Sequence, residues 1–131
     1  AWFDQASQPC NHLVMPRDVR LEPPLPEFAT AEAIAYFVQK KEQNIGSFEQ
    51  NLAETHTYLE RIHLALPELA ALLGGQPYLN GSAPGMEDII IFPVLRNLTL
   101  VKGIVFSAKL QAYIERLSAE SKVPLYSDRA L

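Results

Sequence analysis

The stretch from Gly85 to Val101 constrains the fold of this chain more than any other. It opens with helix-start chemistry and then runs apolar on nearly every side. A helix without a clearly polar face belongs at the buried centre of a bundle. Gly85 is the expected N-cap, and Asp88, at the third helical position, can return its carboxylate to the backbone N–H groups at the helix entrance. Gly85 has no side-chain acceptor, so this is half a capping box. Pro84 and Ile89 stand at the positions of a hydrophobic staple. Pro93 lies beyond the first turn, where it takes the donor from the carbonyl of Ile89 and is expected to bend the helix. Arg96 and Asn97 are the main polar interruption. A guanidinium in such a helix must find a partner or reach a surface, which leaves an internal or edge ion pair and a contact across a domain interface both open.

Around this stretch the chain reads as amphipathic helices with no convincing strand, so the expected fold is all-α. At 131 residues it is a single domain that can bury a core without staples. A net charge of -4 speaks against a nucleic-acid surface. No apolar run is long enough for a membrane span, and no secretory signal pattern is present. Cys10 is the only cysteine, so no internal disulfide forms, and a reducing cytoplasm is the expected compartment. The apolar start at Ala1, Trp2 and Phe3, without an initiator Met, suggests a piece cut from a longer protein.

Residues 1–15 form an expected helix that Pro9 kinks or divides and Pro16 stops. Pro16, Pro23, Pro24 and Pro26 make residues 16–29 an extended surface connector rather than a proline-rich partner motif. Thr30 caps a helix over about 31–44, with Ala33, Ile34, Phe37 and Val38 on its inner face, Lys40 and Lys41 in its last turn and Gly46 after it. Ser47 and Gln50 fit a capping box for the next helix, whose stripe is Phe48, Leu52, Leu59, Ile62 and Leu66. Pro67 is expected to open a separate short helix over 67–74. A turn-rich loop over 76–84 leads into the central stretch. After it, Ser107 caps a last helix over about 108–121 that turns Leu110, Tyr113, Ile114 and Leu117 inward. Leu125 and Tyr126 anchor the tail.

Two sets of residues invite a sharper reading. Cys10 has no partner cysteine, and His12, two positions on, is badly placed to activate a thiol on a helix, so a structural thiol is favoured. His56, Glu60 and His63 have the spacing of a metal site along one helix. They border the leucine stripe without a fourth ligand, and a solvated helix edge is favoured, with no metal expected.

Three segments carry a family resemblance: Glu27 to Thr30, Tyr36 to Glu42 and, above all, Phe92 to Ile104. The whole chain resembles, in order, the C-terminal helical domain of bacterial glutaredoxin 2. More distantly, Leu79-Asn80-Gly81 followed by Glu87-Asp88-Ile89 is similar to the helix start of glutathione-transferase C-terminal domains, where Ser or Thr commonly stands in place of Gly85. The resemblance implies a glutathione-transferase-like helical bundle filling residues 1–131. It also implies a separate N-terminal thioredoxin-like domain, outside this chain, with a Cys-x-x-Cys pair and most of the glutathione site. The implied reaction is glutathione-dependent disulfide reduction through a mixed disulfide. No residue here is assigned to catalysis or to a glutathione site, and the chain alone is expected to be inactive. A glutathione-transferase domain lining a co-substrate site and a free-standing helical interaction module are the alternatives. The expected partner is the protein's own thioredoxin-like domain, in a monomer without nucleic acid or membrane. Trp2, His12, Arg96 and Asn97 are the candidate interface to it, chosen as an aromatic end and a cation in an apolar helix.

Overall fold

The computed structural model describes residues 2–131. Six helices carry the fold: α1 (Trp2–Asp18), α2 (Ala31–Ile45), α3 (Phe48–Ala53), α4 (Thr55–Leu73), α5 (Met86–Leu98) and α6 (Ala108–Ser121). Single 3-10 turns lie at Pro26–Phe28 and Ser127–Arg129. The described residues contain no strand, only one isolated bridge between Tyr78 and Gly81. The all-α expectation holds.

Helix starts follow the side-chain chemistry. Thr30 Oγ1 accepts from the N–H of Ala33 at 3.1 Å, Ser47 Oγ from Gln50 at 3.3 Å and Ser107 Oγ from Leu110 at 3.3 Å. Gln50 does not close the box at Ser47, because its amide instead donates to Glu54. The second bond at that junction comes from Glu42, whose carboxylate accepts from the N–H of Phe48 at 2.8 Å. Helix α2 reaches Ile45, so Lys40 and Lys41 sit a turn before its end, over the rings of Tyr36 and Phe37.

Proline positions depart from expectation. Pro16 does not stop α1, which continues to Asp18 with both Pro9 and Pro16 inside it. A proline in a helix interior removes one backbone bond and costs about 3 kcal/mol. Here Trp2, Ala6, Cys10, Leu13 and Val14 are buried along α1, and its packing against α2, α3, α4 and α5 offsets that loss. Pro67 likewise stays inside α4 instead of opening a new helix. Its side chain is on the exposed side, where the carbonyl left without a donor can turn to water, while Ile62, Ala65, Leu66, Leu69 and Leu73 form one uninterrupted buried stripe. The break falls earlier, at Glu54. There the Thr55 hydroxyl donates to the carbonyl of Leu52 at 2.6 Å and so competes with the helical ladder, while the Asn51 amide donates at 3.0 Å to Ile45, a carbonyl left open at the end of α2.

The main core joins α1, α4, α5 and α6 through residues such as Leu13, Ile62, Leu69, Leu95, Tyr113 and Ile114, all buried. Helix α5 is buried along one face, by Ile91, Phe92, Leu95 and Leu98. Its other face is open. Met86, Ile89, Ile90 and Pro93 follow one another at helical spacing on the exposed side, and Ile89 is 65 % exposed. The staple expected between Pro84 and Ile89 therefore does not bury the isoleucine.

Candidate functional site

Asp88 lies at the first turn of α5 and is 1 % exposed. Its Oδ2 accepts from the N–H of Gly85 at 2.9 Å, the return bond that the sequence predicts. The carboxylate also collects the preceding loop: Leu79 donates to Oδ1 at 2.8 Å and Asn80 to Oδ2 at 3.4 Å. From α6, the Tyr113 hydroxyl donates to Oδ1 at 2.5 Å. Burial alone would raise the pKa of this carboxyl; the bonds from Tyr113, Gly85, Leu79 and Asn80 outweigh it and hold it below the usual carboxylate value. Burial, then the Asp88 bond and charge, push the Tyr113 phenol up. Asp88 is thus a knot between loop, α5 and α6 rather than a cap alone. The tyrosine was legible only as an inward residue of α6.

Glycine at position 85 has a packing reason. A Cβ there would lie 2.5 Å from Cγ of Asn80, so the loop could not close over the helix start without moving. The Ser or Thr of related motifs is replaced by direct approach of the loop, and Asp88 supplies the bonds.

Of the four residues expected at a domain interface, Trp2 and His12 are turned inward, and Arg96 and Asn97 are partly exposed. Trp2 is 3 % exposed and its indole Nε1 donates to the carbonyl of Ala65 in α4 at 2.8 Å. His12, also buried, stacks on Tyr58 with ring centroids 4.5 Å apart. Its Nδ1 lies 2.8 Å from the carbonyl of Gln8, which can only accept, so Nδ1 carries the proton. Both rings are enclosed within this bundle. At the start of α1, Trp2 packs into the core while Phe3 stays 44 % exposed. Arg96 is only partly buried, and the structure places it against the tail of its own domain. Its Nε donates to Pro124 at 2.7 Å and its guanidinium lies 4.2 Å above the ring of Tyr126. Asn97 beside it is half-buried.

Burial pushes the Cys10 thiol up to about 12, with Asp18 adding to the effect, so it has no nucleophilic character at neutral pH. Asp18 is itself pushed up to about 7 by burial and by Glu27. His63 is occupied: its Nε2 accepts from the N–H of Val105 at 3.0 Å. Among the described residues no group of three or more His, Cys, Asp or Glu could hold a metal ion. None of their helices is long and apolar enough to cross a membrane.

The remaining feature is the open apolar face of α5, which continues into a shallow groove lined by Pro84, Ile89, Phe92 and Leu117. Contiguous exposed apolar patches of this kind mark interaction sites or ligand grooves. Comparison with known proteins supplies its context. The family described as "Glutaredoxin 2, C terminal domain" matches residues 1–130. The chain belongs to the glutaredoxin 2 C-terminal domain family. The glutaredoxin 2 proteins of Escherichia coli K12 and O157:H7 are each 32 % identical to it over 130 residues, 99 % of this chain. The chain spans 59 % of the length of these relatives. Glutaredoxin 2 from Salmonella typhimurium, solved in complex with glutathione, superposes with a TM-score of 0.90 at 33 % identity, over 99 % of this chain and 58 % of that one. The glutaredoxin 2 C-terminal domain is accordingly an all-α, glutathione-transferase-like bundle, as the sequence indicated.

Proposed function

We propose that this glutaredoxin 2 C-terminal domain is the supporting half of a glutathione-dependent thiol–disulfide oxidoreductase. The observation that carries the reading is the match along nearly all of this chain to only 59 % of each curated relative. The other two fifths are read as a thioredoxin-like N-terminal domain holding the Cys-x-x-Cys pair and the main glutathione contacts. Glutathione is the co-substrate of the whole protein, which works as a monomer in the cytoplasm. The chain by itself does no redox chemistry, since its single thiol is buried and its pKa raised to about 12.

The surface offered to the partner domain is the exposed face of α5, with Met86, Ile89 and Ile90 at 65 %, 65 % and 53 % exposure. It replaces Trp2 and His12 as the interface. Arg96 and Asn97, further along the same helix and only partly buried, mark its edge. Covering the apolar face stabilises the assembly by the ordinary area effect.

Two measurements test this. The purified chain is expected to show no glutathione-dependent reduction of a small glutathione mixed disulfide, whereas the chain joined to its thioredoxin-like domain turns it over; robust turnover by the chain alone overturns the reading. With the two domains supplied separately, the double substitution Ile89→Lys and Ile90→Lys is expected to weaken association at least tenfold. Because both side chains are exposed, the chain's own unfolding should move by only about 0.5 kcal/mol. Unchanged association would remove α5 as the interface.

A further inference from the structure

Among the described residues, α2 is the one α-helix that buries nothing. Every other helix sinks at least two residues into the domain, even the short α3 with Phe48 and Asn51. The expected inner face of α2, Ala33, Ile34, Phe37 and Val38, is only half-buried at each position. Its tethers all lie in the second half of the helix. The Phe37 ring meets Phe28 and Phe48 edge-on, at centroid distances of 4.8 and 6.1 Å. Glu42 accepts from the N–H of Phe48, and the Asn51 amide donates to the carbonyl of Ile45. The rest is packing of half-buried side chains on α1, α3 and the Pro26–Phe28 turn. What keeps α2 helical is local by contrast. Thr30 caps it, and Lys40 and Lys41 lie over the rings of Tyr36 and Phe37, one turn back. Gly46, at φ 81°, ends it, and the connector with Pro23, Pro24 and Pro26 leads into it.

We propose that α2 is a strap: it leaves the bundle as one unit, about a pivot at Gly46, at far smaller cost than unfolding of the domain. Openings of a folded protein range from almost no cost to its whole stability, and segments with few buried apolar contacts lie at the low end. The main core of α1, α4, α5 and α6 contains no residue of α2, so it survives the departure. Phe28 and Phe48 are buried while the strap is closed. Once it lifts, they and Phe37 form an apolar surface made of other residues than the face of α5. That surface exists only while the strap is open.

The test is amide exchange followed by NMR, in this chain and in the chain joined to its thioredoxin-like domain. A detached helix of 15 residues is marginal in water, so departure opens its amides to exchange. The amides of residues 36–41 are expected to exchange at least about 100-fold faster than that of Leu69 in α4, all with one common opening constant. The Phe48 amide, whose acceptor is Glu42, should share that constant. Ile62→Val loosens the core that α2 does not enter; it should speed exchange at Leu69 about fivefold and leave residues 36–41 unchanged. Phe37→Ala should speed residues 36–41 about tenfold. Alanine is the better helix former, so weaker helix propensity cannot cause that rise. Rates in α2 that equal those in α4, that grade smoothly from its ends, or that rise with Ile62→Val overturn the proposal. So does protection of α2 that appears only in the joined chain, since α2 would then be a covered interface and not a strap.

Discussion

Asp88→Ala is expected to destabilise this domain by about 4 kcal/mol. The substitution removes a carboxylate that is 1 % exposed and leaves four donors without it: the N–H groups of Leu79, Asn80 and Gly85, and the Tyr113 hydroxyl. A buried donor left unsatisfied costs roughly 1–3 kcal/mol, and relaxation of the 76–84 loop towards water keeps the sum below four such penalties. A helix cap on its own would predict about 1 kcal/mol, so the size of the loss separates a cap from a knot. Denaturant unfolding of the parent and the variant measures it; a loss near 1 kcal/mol would mean that the loop and Tyr113 bonds contribute little. Tyr113→Phe, which removes one donor and leaves the other three, should cost about 1 kcal/mol.

The same carboxyl sets a pH dependence with a definite sign. Its folded pKa is lowered, so the folded state binds fewer protons than the unfolded chain wherever the two differ. The stabilisation is complete above the unfolded value of about 4 and is lost as pH falls through the folded value. Acid unfolding should therefore begin below about pH 4, and Asp88→Asn should remove that part of the slope.

How much of this was legible in the sequence depends on how local the cause was. Thr30, Ser47 and Ser107 announced three helix starts because an N-cap acts on N–H groups two or three residues away. Asp88 was legible as a partner of Gly85 for the same reason. Its bonds to Leu79, Asn80 and Tyr113 were not, since they depend on where a loop and a distant helix come to rest. Pro16 and Pro67 misled in the opposite direction. Local rules predict a stop, but around Pro67 the loss of one backbone bond is outweighed by the buried stripe on both sides of it, and past Pro16 the helix runs on only through the buried Arg17 to Asp18. The central stretch misled by its uniform apolarity. Packing needs only Ile91, Phe92, Leu95 and Leu98 on one side, and sequence periodicity could not tell that the facing set, Met86, Ile89 and Ile90, stays exposed on this domain.

Arg17 gave no signal at all in the sequence, yet Arg17→Ala is expected to cost about 3 kcal/mol. The residue is 6 % exposed and ties three parts of the chain. Its Nε donates to the carbonyl of Leu131 at 3.0 Å, one terminal nitrogen to Leu13 at 2.9 Å and the other to the hydroxyl of Thr55 at 2.9 Å. The side chain therefore pins the tail and the α3–α4 junction onto the end of α1, just past Pro16. Part of the loss on truncation is the packing of its stem, and part is the fork of hydrogen bonds. Arg17→Met separates the two, since methionine keeps most of the apolar stem. Two of the acceptors retain other interactions: Leu131 still accepts from Lys102 at 2.9 Å, and Thr55 still donates to Leu52. Methionine should consequently recover about half of the loss, leaving roughly 1–2 kcal/mol that belongs to the hydrogen bonds. In both variants the amides of Lys102 and Leu131 should exchange faster than in the parent, because the strand of tail they hold has lost its third tether. If methionine proved as stable as arginine and those two amides were unchanged, the buried guanidinium would be filling space rather than fastening the tail.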